Sequence, residues 1–565
     1  MIKSRLNQLK SKFKFFNIDG YIIPKNDEFF SEYSSKDRLK FISNFDGSAG
    51  VAVVLKNKNY LFVDGRYTIQ AEKQCGKLFK IINYDKILNC NLFKNLTLGI
   101  DPKIFTSNQI KKTFIKYNKI KEIELNLVDF FLKQNNSNIK PFFSLEKNVT
   151  GLDHYSKIKK VSNILKKYKS KYLFISAPEN ISWLLNIRGY DNPNSPITNA
   201  RLLIDNKEKI FLISQKDKLK KIIKDKKINL KQVINPKNFL LFINKLQKGK
   251  IIIDDKTCSI YFENLIKKKF KILKKEDPVY NLKSVKNKVE IKNMIKCHVA
   301  DGVAVTKFLY WIKRINKKKI TEYQAQKKLE FFRKKIKDYQ FPSFNTIAGT
   351  GKNGAIIHYK PGKKNSSLIK KEDIFLCDSG GQYRFGTTDV TRTICFTKPK
   401  KNIKSIFTKV LKGHIAVATA NLNKYFNGKK IDVLARKSLK KIGLNYEHGT
   451  GHGVGFYLNV HEGPQAISKF NEVRIKEGMI LSNEPGFYKK GQFGIRIENL
   501  IYVIKKNNKL KFKNLTLVPI EKDLINFQEL SKKERDYLFI YHLDVYTKLS
   551  RYLSLNERKW LASYI

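Results

Sequence analysis

The residues able to do chemistry in this 565-residue chain crowd into one stretch, between His358 and Glu498. Its first signal is Ile374-Phe-Leu-Cys-Asp-Ser-Gly-Gly-Gln-Tyr-Arg-Phe-Gly-Thr-Thr-Asp-Val-Thr-Arg-Thr-Ile394: an apolar strand, a Gly-rich turn and a second strand. The pattern predicts a hairpin with Asp378 on one arm and Asp389 on the other, facing each other across the ladder. Two such carboxylates repel and resist desolvation. A divalent cation converts that cost into binding energy, because hard oxygen ligands suit Mn²⁺, Mg²⁺ or Ca²⁺. Taken alone, the pair reads more readily as a turn-capping Asp and a surface Asp.

The second signal is Glu447-His-Gly-Thr-Gly-His-Gly-Val-Gly455, followed by Leu458-Asn-Val-His-Glu-Gly-Pro464. Three of the eight histidines, His448, His452 and His461, fall within fourteen residues. The interleaved glycines exclude a stable helix and let the backbone fold tightly around a ligand. Histidine there supplies a neutral nitrogen ligand or a proton shuttle near neutral pH. A phosphate-cradling loop is disfavoured because no Lys-Ser/Thr follows the glycines. The third signal, Met479-Ile-Leu-Ser-Asn-Glu-Pro-Gly486 with Phe493-Gly-Ile-Arg-Ile-Glu-Asn-Leu500, again has two hairpin-like arms. Each delivers one carboxylate, Glu484 or Glu498, and Arg496 lies on the strand face of Glu498. Four acids and one imidazole, Asp378, Asp389, His452, Glu484 and Glu498, can hold two divalent ions about 3.5–4 Å apart, as two-metal hydrolases do.

Hairpins alternating with helices must carry these side chains, which predicts an α+β domain from Lys286 to about residue 505. Apolar residues at three- and four-residue spacing predict helices over Ser156–Lys169, Lys286–Ile315 and Ser531–Ser550. The charged, Pro-containing stretch Lys274–Asn281 reads as a linker. The front half repeats one α/β unit. Gly20–Glu28 and Tyr172–Asn180 are short apolar strands running into polar turns, and Phe41–Asn44 matches Trp183–Asn186. Strand pairs follow in each copy, and each closes on a strand ending in Asp, at Asp101 and Asp254. So long a period means domain duplication, not a solenoid. The tail from Leu515 is too short to fold alone and is expected to pack on the catalytic part.

Composition narrows the class. A hydrophobic content of 42% is ordinary for a globular protein, and the length suits several cores. The net charge of +64 raises the question of nucleic acid. Its lysines, however, are spread along the chain, and Arg, the usual base reader, is sparse. Runs such as Lys317–Lys319 and Lys398–Lys401 read as solvated loop tips. No specific nucleic-acid partner is expected. Six cysteines (Cys75, Cys90, Cys258, Cys297, Cys377, Cys395) form no CxxC pair, which suits a reducing compartment. The basic N-terminus lacks an apolar signal core, and no stretch is apolar enough to span a bilayer. The expectation is a soluble cytoplasmic protein without membrane contact.

These motifs resemble those of the creatinase/methionine-aminopeptidase ("pita-bread") metallopeptidases, and among them the long, three-domain cytosolic Xaa-Pro aminopeptidases. The resemblance runs the length of the chain. It includes Ser43–Gly50 and Asp64-Gly-Arg-Tyr-Thr68 in front, Ile181–Gly189 next, then His298–Gly302 and Asn353–Tyr359, and Tyr541-His542 with Trp560-Leu561 in the tail. It implies two related α/β domains, 1–150 and 151–283, a pita-bread catalytic domain 284–505, and a C-terminal extension 506–565. The family's five metal ligands fall on Asp378, Asp389, His452, Glu484 and Glu498. It further implies Glu484, His461 and His448 as catalytic groups, and His358, Arg496 and Arg66 as substrate contacts. Glu447 stands where the family often has Gly, and Gly354 where Ala is common; neither removes a ligand. The implied reaction releases the residue before a proline by attack of a metal-bridging hydroxide, with two divalent ions, expected to be Mn²⁺, and a homodimeric enzyme. A prolidase-type dipeptidase and a non-catalytic binding module on the same fold are the alternatives. The doubled front half argues against the first, and the complete ligand set against the second.

Overall fold

A computed structural model of the chain describes residues 2–34, 36–87, 92–132, 140–315 and 320–565; Cys90 and Lys317–Lys319 lie outside them. The chain divides into two compact units, Met1–Tyr280 and Asn281–Ile565.

The first unit holds two six-stranded sheets. One runs in the order Lys80–Asn83, Asn59–Val63, Val51–Leu55, Gly20–Pro24, Thr97–Ile100, Lys119–Glu122. The other runs Val233–Ile234, Ile210–Ile213, Arg201–Asp205, Tyr172–Ile175, Lys250–Ile253, Lys271–Lys274. Both are fourth-third-second-first-fifth-sixth by chain position, and in both the second strand alone runs antiparallel to the rest. The duplication read from the sequence is therefore one topology used twice. Central strands such as Tyr172–Ile175 are buried on both faces, which explains why they are continuous apolar runs without alternation. The matched Asn44 and Asn186 share a reason too. Each follows a short helix, Arg38–Ser43 or Pro178–Leu184, and has positive φ, 66° and 53°, a conformation Asn tolerates better than other side chains.

The expected helices are present at His154–Lys167, Lys288–Arg314 and Lys532–Leu549. Asp153, Asn287 and Ser531 cap their first turns, so the first two begin two residues away from the periodicity estimate. The linker expected over Lys274–Asn281 is instead mostly structured. A strand ends at Lys274 and a helix, Pro278–Ser284, begins four residues later. Asp277 accepts from the Val279 amide and Pro278 fills the first helical position, so charge and proline here start a helix.

In the second unit, strands Ile347–Thr350, Phe375–Ser379 and Val390–Ile394 form one sheet. A five-stranded sheet runs Glu462–Ile467, Gly451–Gly453, Ile480–Asn483, Asn499–Lys506, Lys509–Asn514, and Gly486–Lys489 pairs with Phe493–Arg496 as a separate ribbon. Helices Lys401–Ala418 and Lys532–Leu549 share a core with that ribbon, through Phe407, Leu411, Phe487, Ile495, Leu538 and Val545. The tail thus packs on this unit as expected. Two α/β domains of one topology precede an α+β domain. No helix among the described residues is long and apolar enough to cross a membrane, and the five described cysteines are unpaired and buried.

Candidate metal centre

The two hairpins meet here, and neither is plain. Asp378 lies opposite Thr391, with Asp389 one residue before its strand and thus diagonal to Asp378. The expectation that the two aspartates face each other is corrected by two residues. The Gly-rich turn between them forms short strands of its own, Gly381–Tyr383 and Gly386–Thr387, which pair with each other, and the first also pairs with Tyr339–Pro342. In the other hairpin, Asn483 opposes Asn499 and Gly486 opposes Arg496 in one continuous register, which sets Glu484 across from Glu498. Both glutamates occupy the step where each arm passes from the five-stranded sheet to the ribbon.

His452 sits mid-strand between two glycines that its neighbours require. A Cβ at Gly451 would lie 1.9 Å from the Ser482 carbonyl oxygen, and one at Gly453 2.3 Å from that of Glu462. The His452 amide donates to Ser482 Oγ at 2.9 Å, and that hydroxyl donates to Glu484 Oε1 at 3.1 Å. His452 Nδ1 lies 2.8 Å from the Gly453 carbonyl, so it carries the proton and Nε2 presents its lone pair. Nε2 is 3.5 Å from Asp389 Oδ2 and 3.6 Å from Glu484 Oε1.

Asp389, His452 and Glu498 bring ligand atoms within 4.8 Å of one another. Burial, then the Asp378 and Glu484 charges, push the Asp389 carboxyl well above the usual range. Burial, then Asp389 and Glu484, do the same to Glu498. Asp378 Oδ1, Asp389 Oδ1 and Glu498 Oε1 are buried without a hydrogen-bond partner. Buried acids normally have such partners. Four carboxyl groups are set against one guanidinium, Arg496. An oxygen-rich set of this kind with one imidazole fits two divalent cations.

Arg496 organises the rim. It donates to Asp378 Oδ2 at 2.6 Å, to Thr391 Oγ1 at 3.1 Å and to Tyr488 Oη at 2.6 Å. Thr391 Oγ1 in turn donates a hydrogen bond to Glu498 Oε2 at 2.7 Å, and Tyr488 Oη meets His448 Nε2 at 2.9 Å. His461 lies edge-on to His452, ring centroids 4.3 Å apart. His358 is on another segment, held at both ends by the buried Glu322. That carboxylate accepts from the Thr350 and Ser367 amides, Asn353 Nδ2 and Tyr359 Oη. The same segment reaches the ribbon where Gly354 and Gly494 touch backbone to backbone. Arg66 belongs to the first unit, where it forms a bidentate pair with Asp64 at 3.0 and 2.7 Å.

Sequence reasoning missed Thr391, Ser482, Tyr488 and Arg392. Tyr488 and Ser482 look like ordinary strand residues, and nothing local marks them. Arg392 does carry a faint signal, an Arg inside a strand that is otherwise apolar and hydroxylated. It is fully buried and donates to the Glu498, Val518 and Pro519 carbonyls, Asn499 Oδ1 and Tyr541 Oη.

Residues 292–505 match the family model of metallopeptidase family M24, and residues 508–564 that of the C-terminal region of peptidase M24. Residues 5–124 and 133–290 each match a creatinase/prolidase N-terminal domain. Over 99% of its length the chain is 36% identical to a probable Xaa-Pro aminopeptidase P of Laccaria bicolor, covering 92% of it. It is 35% identical to Xaa-Pro aminopeptidase 1 of Dictyostelium discoideum, over 97% of this chain and 93% of that one. Among solved structures, the X-prolyl aminopeptidase of Caenorhabditis elegans, a cytosolic enzyme with a di-nuclear active site, superposes with a TM-score of 0.92. It is 30% identical and covers 100% of this chain and 99% of its own. A prolidase from Thermococcus sibiricus superposes with a TM-score of 0.53 at 25% identity, covering 66% of this chain and 98% of its own.

Proposed function

The chain belongs to metallopeptidase family M24, and from that premise we propose that it is a metal-dependent aminopeptidase that releases the N-terminal residue from peptides with proline second. The observation that carries this reading is the extent of the match. The aminopeptidase superposes over the whole chain, doubled front half and tail included, whereas the prolidase leaves a third of it uncovered. We take 1–150, 151–283, 284–505 and 506–565 as the domain boundaries.

Asp378, Asp389, His452, Glu484 and Glu498 would hold two divalent ions. Bound there, the ions supply an acidified water and a Lewis acid for the scissile carbonyl. Manganese is the ion we propose, because four carboxylates and one imidazole form a hard donor set. The bond before proline is a tertiary amide of restricted shape, which ordinary peptidases accommodate poorly. Glu484, whose side chain is 19% exposed, is the group placed to accept the water's proton. His461 is exposed beside His452 and is suited to donate to the developing oxyanion. His448, oriented by Tyr488 and Arg496, and His358 would flank the proline. The substrate's ammonium group is recognised by the surplus of carboxylates, which limits removal to one residue at a time. Arg66, paired with Asp64 in the first unit, is a further substrate contact in this reading. Family membership supports a homodimeric, cytoplasmic enzyme.

The test is direct. Metal-loaded protein should release the first residue from an Xaa-Pro-Xaa tripeptide faster than it cleaves an Xaa-Pro dipeptide, and chelation should abolish both. Glu484→Gln and His452→Ala should each lower kcat by at least about 10²-fold. Near-normal turnover in either would remove that residue from the assignment.

A further inference from the structure

Glu462 follows His461 directly, and the two side chains have opposite environments. His461 is exposed, whereas Glu462 is 6% exposed. That is the expected alternation at the start of a strand. Lys283 Nζ lies 3.0 Å from Glu462 Oε2, and Lys286 Nζ hydrogen-bonds Oε1, with all three side chains 1% accessible. Two buried ammonium groups thus converge on one carboxylate, and Glu290, on the first turn of helix Lys288–Arg314, adds a second negative charge near Lys286. Buried charges persist only when paired. The lysine segment is fixed by its backbone as well. The Lys286 amide donates to the Gly478 carbonyl at 2.9 Å, and a Cβ at Gly478 would lie 2.5 Å from the Lys286 carbonyl oxygen. On its other side the Glu462 backbone presses against Gly453, next to His452.

We propose that Glu462 is a positioning residue for His461. The Lys283–Glu462–Lys286 cluster pins from within the start of strand Glu462–Ile467, and with it the preceding His461, whose outward side chain faces the reacting carbonyl. The proposal rests on the oxyanion role given to His461 above. It identifies a function for two lysines that sit only three and six residues beyond the end of the first unit at Tyr280.

A double-mutant cycle with the full-length, manganese-loaded chain tests it. Glu462→Gln keeps the shape but takes the charge from two lysines. It should lower kcat by about 10- to 100-fold, the effect of misplacing a group by an ångström or less, with KM and bound metal near wild type and a lowered melting temperature, because two buried ammonium groups lose their carboxylate. His461→Ala should lose at least as much. The variant carrying both changes should match His461→Ala alone, because an unpositioned histidine and an absent one are equivalent. If Glu462→Gln does not fold, Glu462→Asp, which keeps the charge but shortens the reach, takes its place in the cycle. Full kcat in a metal-loaded Glu462 variant, or losses that multiply in the double variant, would overturn the proposal. Wild-type turnover in His461→Ala would overturn the reading of His461 itself, and that result is visible before any Glu462 variant is made.

Discussion

Asp389 and Glu498 share a space that excludes water and already contains two other acids. In the metal-free protein each therefore holds a proton at pH values where the unfolded chain, with ordinary carboxyl pKa values near ~4, has lost it. The native state then binds more protons than the unfolded one, so the metal-free fold loses stability as pH rises from that ordinary range toward the raised native values. Ions require both groups deprotonated, so their affinity rises over the same interval. The stabilisation brought by Mn²⁺ should accordingly grow from the ordinary carboxyl range toward higher pH, read as melting temperature with and without chelator. An equal shift at both ends would contradict this account. All five proposed ligands were legible because each stands in a short motif with a chemical reason. Thr391 and Tyr488 were not, because a hydroxyl's meaning comes from partners such as Arg496, 105 and 8 residues away.

At the scale of elements, the approach of the His452 strand to Ile480–Asn483 is set by what Gly451 lacks. Gly451→Ala would drive a methyl group to 1.9 Å from the Ser482 carbonyl, so the strands must part and His452 must withdraw from Glu484. The expected cost is about 1–3 kcal/mol, typical of overpacking, accompanied by a fall in bound metal. Denaturant unfolding and metal analysis would check both, and wild-type metal content would contradict the prediction. The sequence predicted both hairpins but not how each is interrupted. In the first, the turn folds into strands of its own; in the second, both arms change sheets at the glutamates. Alternation within a strand reports which face a residue takes. It carries no information about which sheet the next residue joins, because that depends on pairing with distant segments such as Tyr339–Pro342. The lysine positions show the same limit. Lys283 and Lys286 looked like two more of many solvated lysines, and only Glu462, 176 residues beyond Lys286, gives them a purpose.

Across the whole molecule, duplication of the front half was readable because both copies keep strand, helix-ending Asn and Asp-terminated strand in the same order. The tail was readable only as something that must pack. What it holds was hidden, since Arg392 reaches Val518 and Tyr541 across 126 and 149 residues. Tyr541 Oη donates to the Val518 carbonyl at 2.7 Å and accepts from Arg392 at 3.0 Å, while Arg392 donates to the Glu498 carbonyl at 2.7 Å. Tyr541→Phe should cost about 1–2 kcal/mol, the usual effect of stranding buried partners, and hasten metal loss during dialysis. Unchanged urea stability together with unchanged metal retention would contradict that link.

The bond from Tyr541 through Arg392 to Glu498 also dictates when the site can exist. A ribosome that has finished Glu498 has made every proposed ligand, yet the residue that steadies the last of them is still 43 codons away. The unfinished chain carries a full complement of donors without the frame that aligns them. Competence arrives only when the helix that holds Tyr541 docks on Arg392, after every donor has already been made.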